Sequence, residues 1–259
     1  MTNLATPTLP AVAGSFSSRV WRDYFQHNSE ARLELETGEP VTVDHRGQPA
    51  LIASLQRFQI GESGEGAHLI AGADRTGDAD YAQAIRLFIA EEQDHARRLA
   101  HVVTRLGGTL LASHWSDRVF VFLRRMMGLR TELMVLLIAE LIARRYYRAL
   151  YDGTDDADTR LMCRQIMHDE LGHVRFHCDY LYHAFGATPG WSRTVIHFCW
   201  TAAFRATCLV VMFDHRRALR ACNVPLESFW HDCGLLQSDA STRIFGNRAA
   251  ARELLLGNA

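Results

Sequence analysis

Two short motifs in the sequence place a glutamate three residues before a histidine. Glu92 and His95 occur in AEEQDH, and Glu170 and His173 occur in HDELGHVRF. Residues three apart project from the same face of a helix. The second motif lies in an apolar stretch, where ionised carboxylates are rare unless they are paired or bind a metal. The motifs therefore indicate a bound cation.

The two motifs belong to an internal repeat. Each residue of the second motif lies 78 positions after its counterpart in the first, and two further pairs of acids share that spacing. The acids Glu65 and Glu132, which are the nearest rivals, have no acidic counterpart at the same spacing. One spacing shared by several pairs predicts two similar halves. The four pairs are Glu62 and Glu140, Glu91 and Asp169, Glu92 and Glu170, and His95 and His173.

The repeat predicts a site that holds two metal ions. Two helices would each contribute one glutamate and two would each contribute an E-x-x-H motif, which is the ligand set of a carboxylate-bridged dimetal site in a bundle. Four carboxylates balance the charge of two divalent ions. Mixed oxygen and imidazole ligands favour iron or manganese. We expect Glu91 and Asp169, which precede the ligands, each to accept the outward N–H of a ligand histidine from the other helix.

The rest of the chain predicts only helices. Long stretches are rich in Ala, Leu, Arg and Glu, and the chain has only six prolines. The fold class is therefore all-α, with a central four-helix bundle. We predict a tail and leading helix in residues 1–49, the dimetal bundle in 50–186, and further helices in 187–259 that pack on it. The predicted helices span about residues 18–35, 50–73, 79–106, 117–151 and 157–185, with one or two more before the end.

At these residues the chain resembles the ferritin-like non-haem diiron-carboxylate superfamily. The segments GESGEGAH, AELIARRYY and DELGHVRF are most similar to its oxidase and oxygenase branches, including aldehyde-deformylating oxygenases. The resemblance covers roughly residues 50–185. It implies a ferritin-like four-helix bundle, two irons and reaction with O2, with a manganese–iron pair as an open alternative. The implied ligands are Glu62, Glu92, His95, Glu140, Glu170 and His173.

Three departures narrow the resemblance. The small subunit of ribonucleotide reductase has a tyrosine four residues after its first ligand histidine, where this chain has Leu99. Arylamine N-oxygenases have an additional histidine four residues before the second motif's glutamate, where this chain has Ile166. The six cysteines include no C-x-x-C pair, so the rubredoxin-like iron site of rubrerythrins is not expected.

Four further residues are candidates for the pocket beside the metals. Glu65 and His68 make a third E-x-x-H, and His68 is either an additional ligand or a polar residue at the pocket mouth. Tyr147 follows Glu140 by seven residues and either bonds a ligand or only packs. His177 follows His173 by four and either lines the site or is an ordinary core histidine.

Charge and hydropathy limit the partners. The formal net charge is −1, which gives no electrostatic reason to expect nucleic acid. The most apolar segment, residues 195–213, carries His197 and Arg205, so we expect a buried bundle helix and no membrane span. The first 18 residues lack a basic start followed by an apolar core, and the cysteines are expected to be reduced, so a cytoplasmic location is predicted.

These observations favour an enzyme. The expected activity is that of a diiron oxidase or oxygenase that uses O2 to oxidise a small, partly apolar organic substrate, with electrons from an external donor. The 70-odd residues after the fourth helix motivate this choice, because a substrate cavity needs walls that an iron store does not. The alternatives are a ferritin-like store or ferroxidase and a rubrerythrin-like peroxide scavenger. A homodimer is compatible with the sequence.

Overall fold

The computed structural model describes residues 16–33, 47–112 and 128–246, and every regular element in these ranges is an α-helix. The prediction of an all-α fold is confirmed. The eight helices are α1 (Ser18–Glu30), α2 (Gln48–Glu62), α3 (Ala67–Asp74), α4 (Ala79–Arg105), α5 (Gly128–Gly153), α6 (Ala157–Ala184), α7 (Gly190–Ala221) and α8 (Leu226–Phe245).

The centre of the molecule is a bundle made of two helix pairs. Helix α2 packs against α4, α5 packs extensively against α6, and the two pairs meet where α4 packs against α6. Each pair has one of the predicted ligand glutamates on its first helix, Glu62 on α2 or Glu140 on α5, and an E-x-x-H motif on its second. The pairs therefore correspond to the two halves of the repeat.

The predicted helix over residues 50–73 is wrong as one element, because the chain breaks it into α2 and α3. Gly66 adopts the left-handed conformation, with φ of +63°. A Cβ at this position would come within 2.4 Å of the Ile89 side chain on α4. Gly66 is the N-cap of α3, and its left-handed conformation starts that helix close to α4. Glu62 is the last residue of α2.

An aspartate caps the start of each E-x-x-H helix. Asp78 accepts a hydrogen bond from the Tyr81 amide (2.9 Å) at the start of α4, and Asp156 accepts one from the Thr159 amide (2.8 Å) at the start of α6. Gly107, with φ of +81°, follows the end of α4. The predicted start of the third long helix near residue 117 lies outside the described residues.

Helix α1 ends five residues earlier than predicted, and this affects the site. The chain leaves the helix after Glu30, and Arg98 donates a hydrogen bond to the Leu33 carbonyl (2.6 Å). Helix α1 packs on α4, and its Trp21 and Phe25 rings contact the Phe176 ring on α6 at centroid distances of 5.4 and 5.2 Å. A Cβ in place of hydrogen at Gly172 would lie 2.5 Å from the Tyr24 hydroxyl, so the glycine allows α1 to approach α6 closely.

Helices α7 and α8 pack against each other and against the bundle. The side of α7 that faces the protein includes Trp200, Phe204 and Cys208. The opposite side is exposed, and only 17% of the most apolar 18-residue stretch of α7 is buried. The expectation of a buried bundle helix is therefore wrong, because only one face of α7 contacts the protein. By length and composition alone, α7 could cross a membrane.

Candidate dimetal site

The carboxylates and imidazoles of the repeat converge inside the bundle. Glu62, His95 and Glu170 form one group whose ligand atoms lie within 4.8 Å of one another, and Glu92, Glu170 and His173 form a second. Glu170 belongs to both groups. A carboxylate shared between two groups of donors is the arrangement that bridges a pair of metal ions.

The two histidines are held with one nitrogen outward and one inward. Nε2 of His173 lies 2.8 Å from Oε2 of Glu91 on the neighbouring helix. Nε2 of His95 lies 2.9 Å from Oδ2 of Asp169. Glu91 and Asp169, the outer acids, therefore each bond the histidine of the opposite helix. The Nδ1 atoms of the two histidines face Glu92 and Glu170. Such outer bonds fix the orientation and tautomer of a metal-binding imidazole.

Helix α1 supplies two polar residues that the repeat did not predict. Asn28 is buried and donates hydrogen bonds to Glu91 (2.6 Å) and Asp169 (3.0 Å). Arg32, just after α1, lies 2.9 Å from Asp169 and 3.7 Å from Glu91. The two residues join Glu91 and Asp169, the outer acids of the two halves, and the guanidinium of Arg32 offsets their negative charge. No spacing marked them, because neither has a counterpart in the repeat.

Further hydrogen bonds surround Asp169. Gln165 donates one to Oδ1 (2.9 Å), and Nδ1 of His168 lies 3.2 Å from the same oxygen. Burial acts to raise the pKa of Asp169, but the contacts with His168 and His95 outweigh it and hold the pKa well below its usual value. Asp169 is therefore an anion that accepts hydrogen bonds. Gln165, four residues earlier on the same helix, could have been found from that spacing.

The inner carboxylates have opposed pKa shifts. Burial, reinforced by the charge of Glu92, raises the pKa values of Glu62 and Glu170 well above the usual value. Burial also acts to raise the pKa of Glu92, but contact with His173 at 3.0 Å outweighs it and lowers the pKa to about 2. Burial acts to lower the pKa of His173, but its contacts with acids outweigh it and raise the pKa well above the usual value. Without a cation, some of these acids must hold protons.

Glu140 lies apart from the two groups of donors. It is buried, and its Oε1 lies 3.0 Å from Nε2 of His177 on α6. His177 is fully buried. The structure therefore brings the predicted ligand Glu140 next to the predicted pocket residue His177.

Of the remaining candidates, only Tyr147 bonds a proposed ligand. The Tyr147 hydroxyl donates a hydrogen bond to Oε1 of Glu62 (3.1 Å), in addition to packing in the core. Glu65 is exposed in the turn between α2 and α3. His68 on α3 is half-buried, and its Nδ1 lies 2.7 Å from Oε2 of the buried Glu132. Glu65 and His68 are therefore not members of the two donor groups.

Buried polar atoms at the centre fit a cation. Glu140 has both carboxylate oxygens buried without a hydrogen-bond partner, and the same is true of Nδ1 of His95 and Oε2 of Glu170. Buried polar atoms normally have partners. Carboxylate oxygens and imidazole nitrogens are ligands that divalent iron or manganese accepts. The donor set therefore fits a pair of metal ions.

A surface groove of about 600 Å³ lies elsewhere on the described part of the chain. It is lined by the start of α2 and by residues 106–109 at the end of α4. The lining contains no carboxylate or imidazole side chain. The groove is therefore separate from the cluster of acids and histidines.

Comparison with solved structures identifies the fold. A solved structure of a protein from Synechococcus with aldehyde deformylating oxidase activity matches with a TM-score of 0.58 and 21% sequence identity, over 81% of this chain and 96% of that chain. No protein-family model and no curated protein sequence matches. The chain has a ferritin-like fold. Within this ferritin-like bundle, the acids and histidines described above form a buried group that could hold metal.

Proposed function

We propose that the protein is a non-haem diiron oxidase or oxygenase. The observation that carries the proposal is the pair of donor groups that share Glu170, with the outer nitrogen of each histidine bonded by an acid from the other half. The six ligands proposed for two irons are Glu62, Glu92, His95, Glu140, Glu170 and His173. A manganese–iron pair is the alternative composition, because both metals accept this donor set.

When bound, the iron pair would supply the electrons that reduce O2 and the oxidant that attacks the substrate. The protein's own part is to hold the donors in place. Glu91 and Asp169 orient the imidazoles, and Asn28 and Arg32 hold those two acids. Tyr147 orients Glu62 through its hydroxyl.

Aromatic side chains keep water from the imidazoles. The Phe88 ring meets the rings of His173 and His177 edge-on, at centroid distances of 4.7 and 4.9 Å. Phe25 from α1 and Phe176 from α6 are fully buried beside the same histidines. An apolar wall of this kind lowers the local dielectric and strengthens the attraction between the carboxylates and a cation.

The proposed substrate is a small, partly apolar organic molecule. The solved structure that shares the fold is described as having aldehyde deformylating oxidase activity, which makes aldehydes the first class to test. An external electron donor, which would return the metals to the reduced state after each turnover, is part of the proposal.

The test is to load metal-free protein with two equivalents of Fe(II) without oxygen and mix it with O2 in a stopped-flow spectrometer. We expect an absorbance transient that decays within the mixing experiment, and O2 consumption that rises with a suitable substrate. The control is Glu170→Ala, which removes the shared carboxylate and should abolish the transient. Absence of any iron-dependent transient in the unmodified protein would contradict the proposal.

The same preparation separates the alternatives. An iron store would take up iron well beyond two ions per chain, which metal analysis after gel filtration measures. A peroxide scavenger would oxidise faster with hydrogen peroxide than with O2. Iron uptake that stops at two ions, together with faster reaction with O2, supports the oxidase or oxygenase.

A further inference from the structure

His177 is the one imidazole in the described part of the chain that contacts a proposed ligand but belongs to neither E-x-x-H motif. It follows His173 by four residues, so the two side chains lie on the same face of α6. Their rings both meet the Phe88 ring edge-on. His177 is fully buried, and its Nε2 lies 3.0 Å from Oε1 of Glu140.

The contact between His177 and Glu140 leaves four buried polar atoms unsatisfied. Both ring nitrogens of His177 and both carboxylate oxygens of Glu140 lack a hydrogen-bond partner, because the two groups are close but not aligned for a hydrogen bond. A buried polar atom without a partner is costly. A cation between the imidazole and the carboxylate would satisfy atoms of both groups.

The internal repeat shows that packing alone does not require a histidine here. The residue 78 positions before His177 is Leu99, which is fully buried at the corresponding turn of α4. The first half of the bundle therefore fills this position with an apolar side chain. The second half has an imidazole at the same position, directed at the proposed ligand Glu140.

We propose that His177 is a third imidazole ligand, bound to the metal position that Glu140 serves. This proposal rests on the proposed dimetal site and makes its two positions unequal. The position served by Glu62 and His95 has one imidazole. The position served by Glu140 has two, from His173 and His177, and we expect it to bind metal ions more tightly.

The outer nitrogen of His95 and that of His173 are each bonded to an acid. Neither ring nitrogen of His177 has a hydrogen-bond partner. An imidazole without an outer partner is held less firmly in one orientation. His177 is therefore the ligand of the set that can most readily leave the metal and open a coordination position.

The first test uses Co(II), which is paramagnetic and does not require oxygen chemistry. Ring N–H protons of bound histidines give proton NMR signals shifted outside the ordinary range. In the unmodified protein loaded with two Co(II) ions, we expect three exchangeable shifted N–H signals, for His95, His173 and His177. Only two such signals would overturn the proposal, and this readout requires no variant.

The second test is an anaerobic Co(II) titration of His177→Leu, which places in the second half the residue found in the first. We expect one shifted N–H signal to disappear, and one of the two ions to bind at least about tenfold more weakly, the lower end of what loss of an outer partner costs. His197→Leu is the matched control, because His197 contacts Ser241 on α8, away from the site. It should leave both binding constants and all three signals unchanged.

The outcomes separate this inference from the proposed function. If the unmodified protein binds two ions and His177→Leu binds both with unchanged constants and signals, His177 is not a ligand, while the dimetal site stands. If the unmodified protein binds no Co(II) or Fe(II), the dimetal site itself is wrong and this inference falls with it.

Discussion

Nε2 of His173 on α6 lies 2.8 Å from Oε2 of Glu91 on α4. The two helices come from different halves of the repeat, so this contact and its counterpart between His95 and Asp169 (2.9 Å) link the halves across the bundle. Each outer acid orients an imidazole on the other helix. The geometry of one proposed metal position therefore depends on both halves.

The first prediction concerns these outer acids. Glu91→Gln and Asp169→Asn keep the side-chain size but weaken the bond to the imidazole, so we expect each to reduce metal affinity about 10- to 100-fold. The measurement is competitive Fe(II) or Co(II) titration against a chelator. Glu227→Gln on the exposed first turn of α8 is the control. Affinity unchanged in both variants would show that the imidazoles do not need these partners.

The second prediction concerns Asn28, the residue of α1 that bonds both outer acids. Because both bonds are buried and their acceptors are charged, we expect Asn28→Ala to lower the free energy of unfolding by about 2 kcal/mol. Urea denaturation of metal-free protein measures it. Gln26→Ala removes an exposed bond to Glu30 on the same helix and should change stability by less than about 0.5 kcal/mol. Equal losses in the two variants would contradict the role of Asn28.

The third prediction is a pH dependence of the metal-free protein. Glu62, Glu170 and His173 have raised pKa values in the folded state, so the folded protein binds more protons than the unfolded chain. Their contribution to stability is present below the unfolded values, about 4.3 for Glu and 6.5 for His, and is lost as pH rises through the raised values. We expect the melting temperature of metal-free protein to fall between about pH 6 and pH 8.

Glu92 and Asp169 act in the opposite direction, because their pKa values are lowered. Their contribution is lost only as pH falls below about 4, outside the tested interval. Glu170→Gln should reduce the slope between pH 6 and pH 8, and bound metal should remove or reverse it, because metal binds the deprotonated donors. A melting temperature that rises with pH in metal-free protein would contradict this account.

The fourth prediction separates the two roles of Gly66. Gly66→Ala introduces both an unfavourable left-handed conformation and a clash with Ile89. Gly77 also has positive φ (+74°), but a Cβ there would meet nothing within 4 Å. We expect Gly77→Ala to cost about 1 kcal/mol of stability and Gly66→Ala about 2 to 3 kcal/mol. Because Glu62 lies four residues before Gly66, only Gly66→Ala should also weaken metal binding.

The fifth prediction concerns the exposed side of α7. Trp191, Phe198 and Phe213 are 75%, 74% and 69% exposed. These three side chains expose roughly 400 Å² of apolar surface, about half of what each partner buries in a standard interface. The aliphatic Val195, Leu209 and Val210 extend the same side. We expect a second copy of the chain to cover this surface, giving a homodimer.

Sedimentation velocity tests the homodimer. Phe198→Asp should convert the dimer to monomer, while Val20→Asp, at an exposed valine on α1, should not. A monomeric unmodified protein would contradict the prediction. If that monomer co-sediments with phospholipid vesicles, the exposed side of α7 is a membrane-binding surface.

The fold class and the positions of the acid–histidine pairs could be predicted because both depend on local spacing. Helix composition, the capping aspartates and the glycines near residue 107 act over a few residues, so α4 and α6 have nearly the predicted bounds. The repeat spacing selected Glu62 over Glu65, and the structure places Glu62 among the donors and Glu65 in an exposed turn. Here the spacing of the repeat was sufficient information.

Contacts between distant segments required the tertiary structure. Asn28 and Arg32 reach the site because α1 packs over α4 close to α6, which no spacing along the chain encodes. The break at Gly66 depends on the close approach of Ile89, and the pairing of Glu140 with His177 depends on the packing of α5 on α6. The exposure of α7 likewise depends on how many of its faces contact other helices. Burial is a property of the packed chain, and an apolar sequence does not specify it.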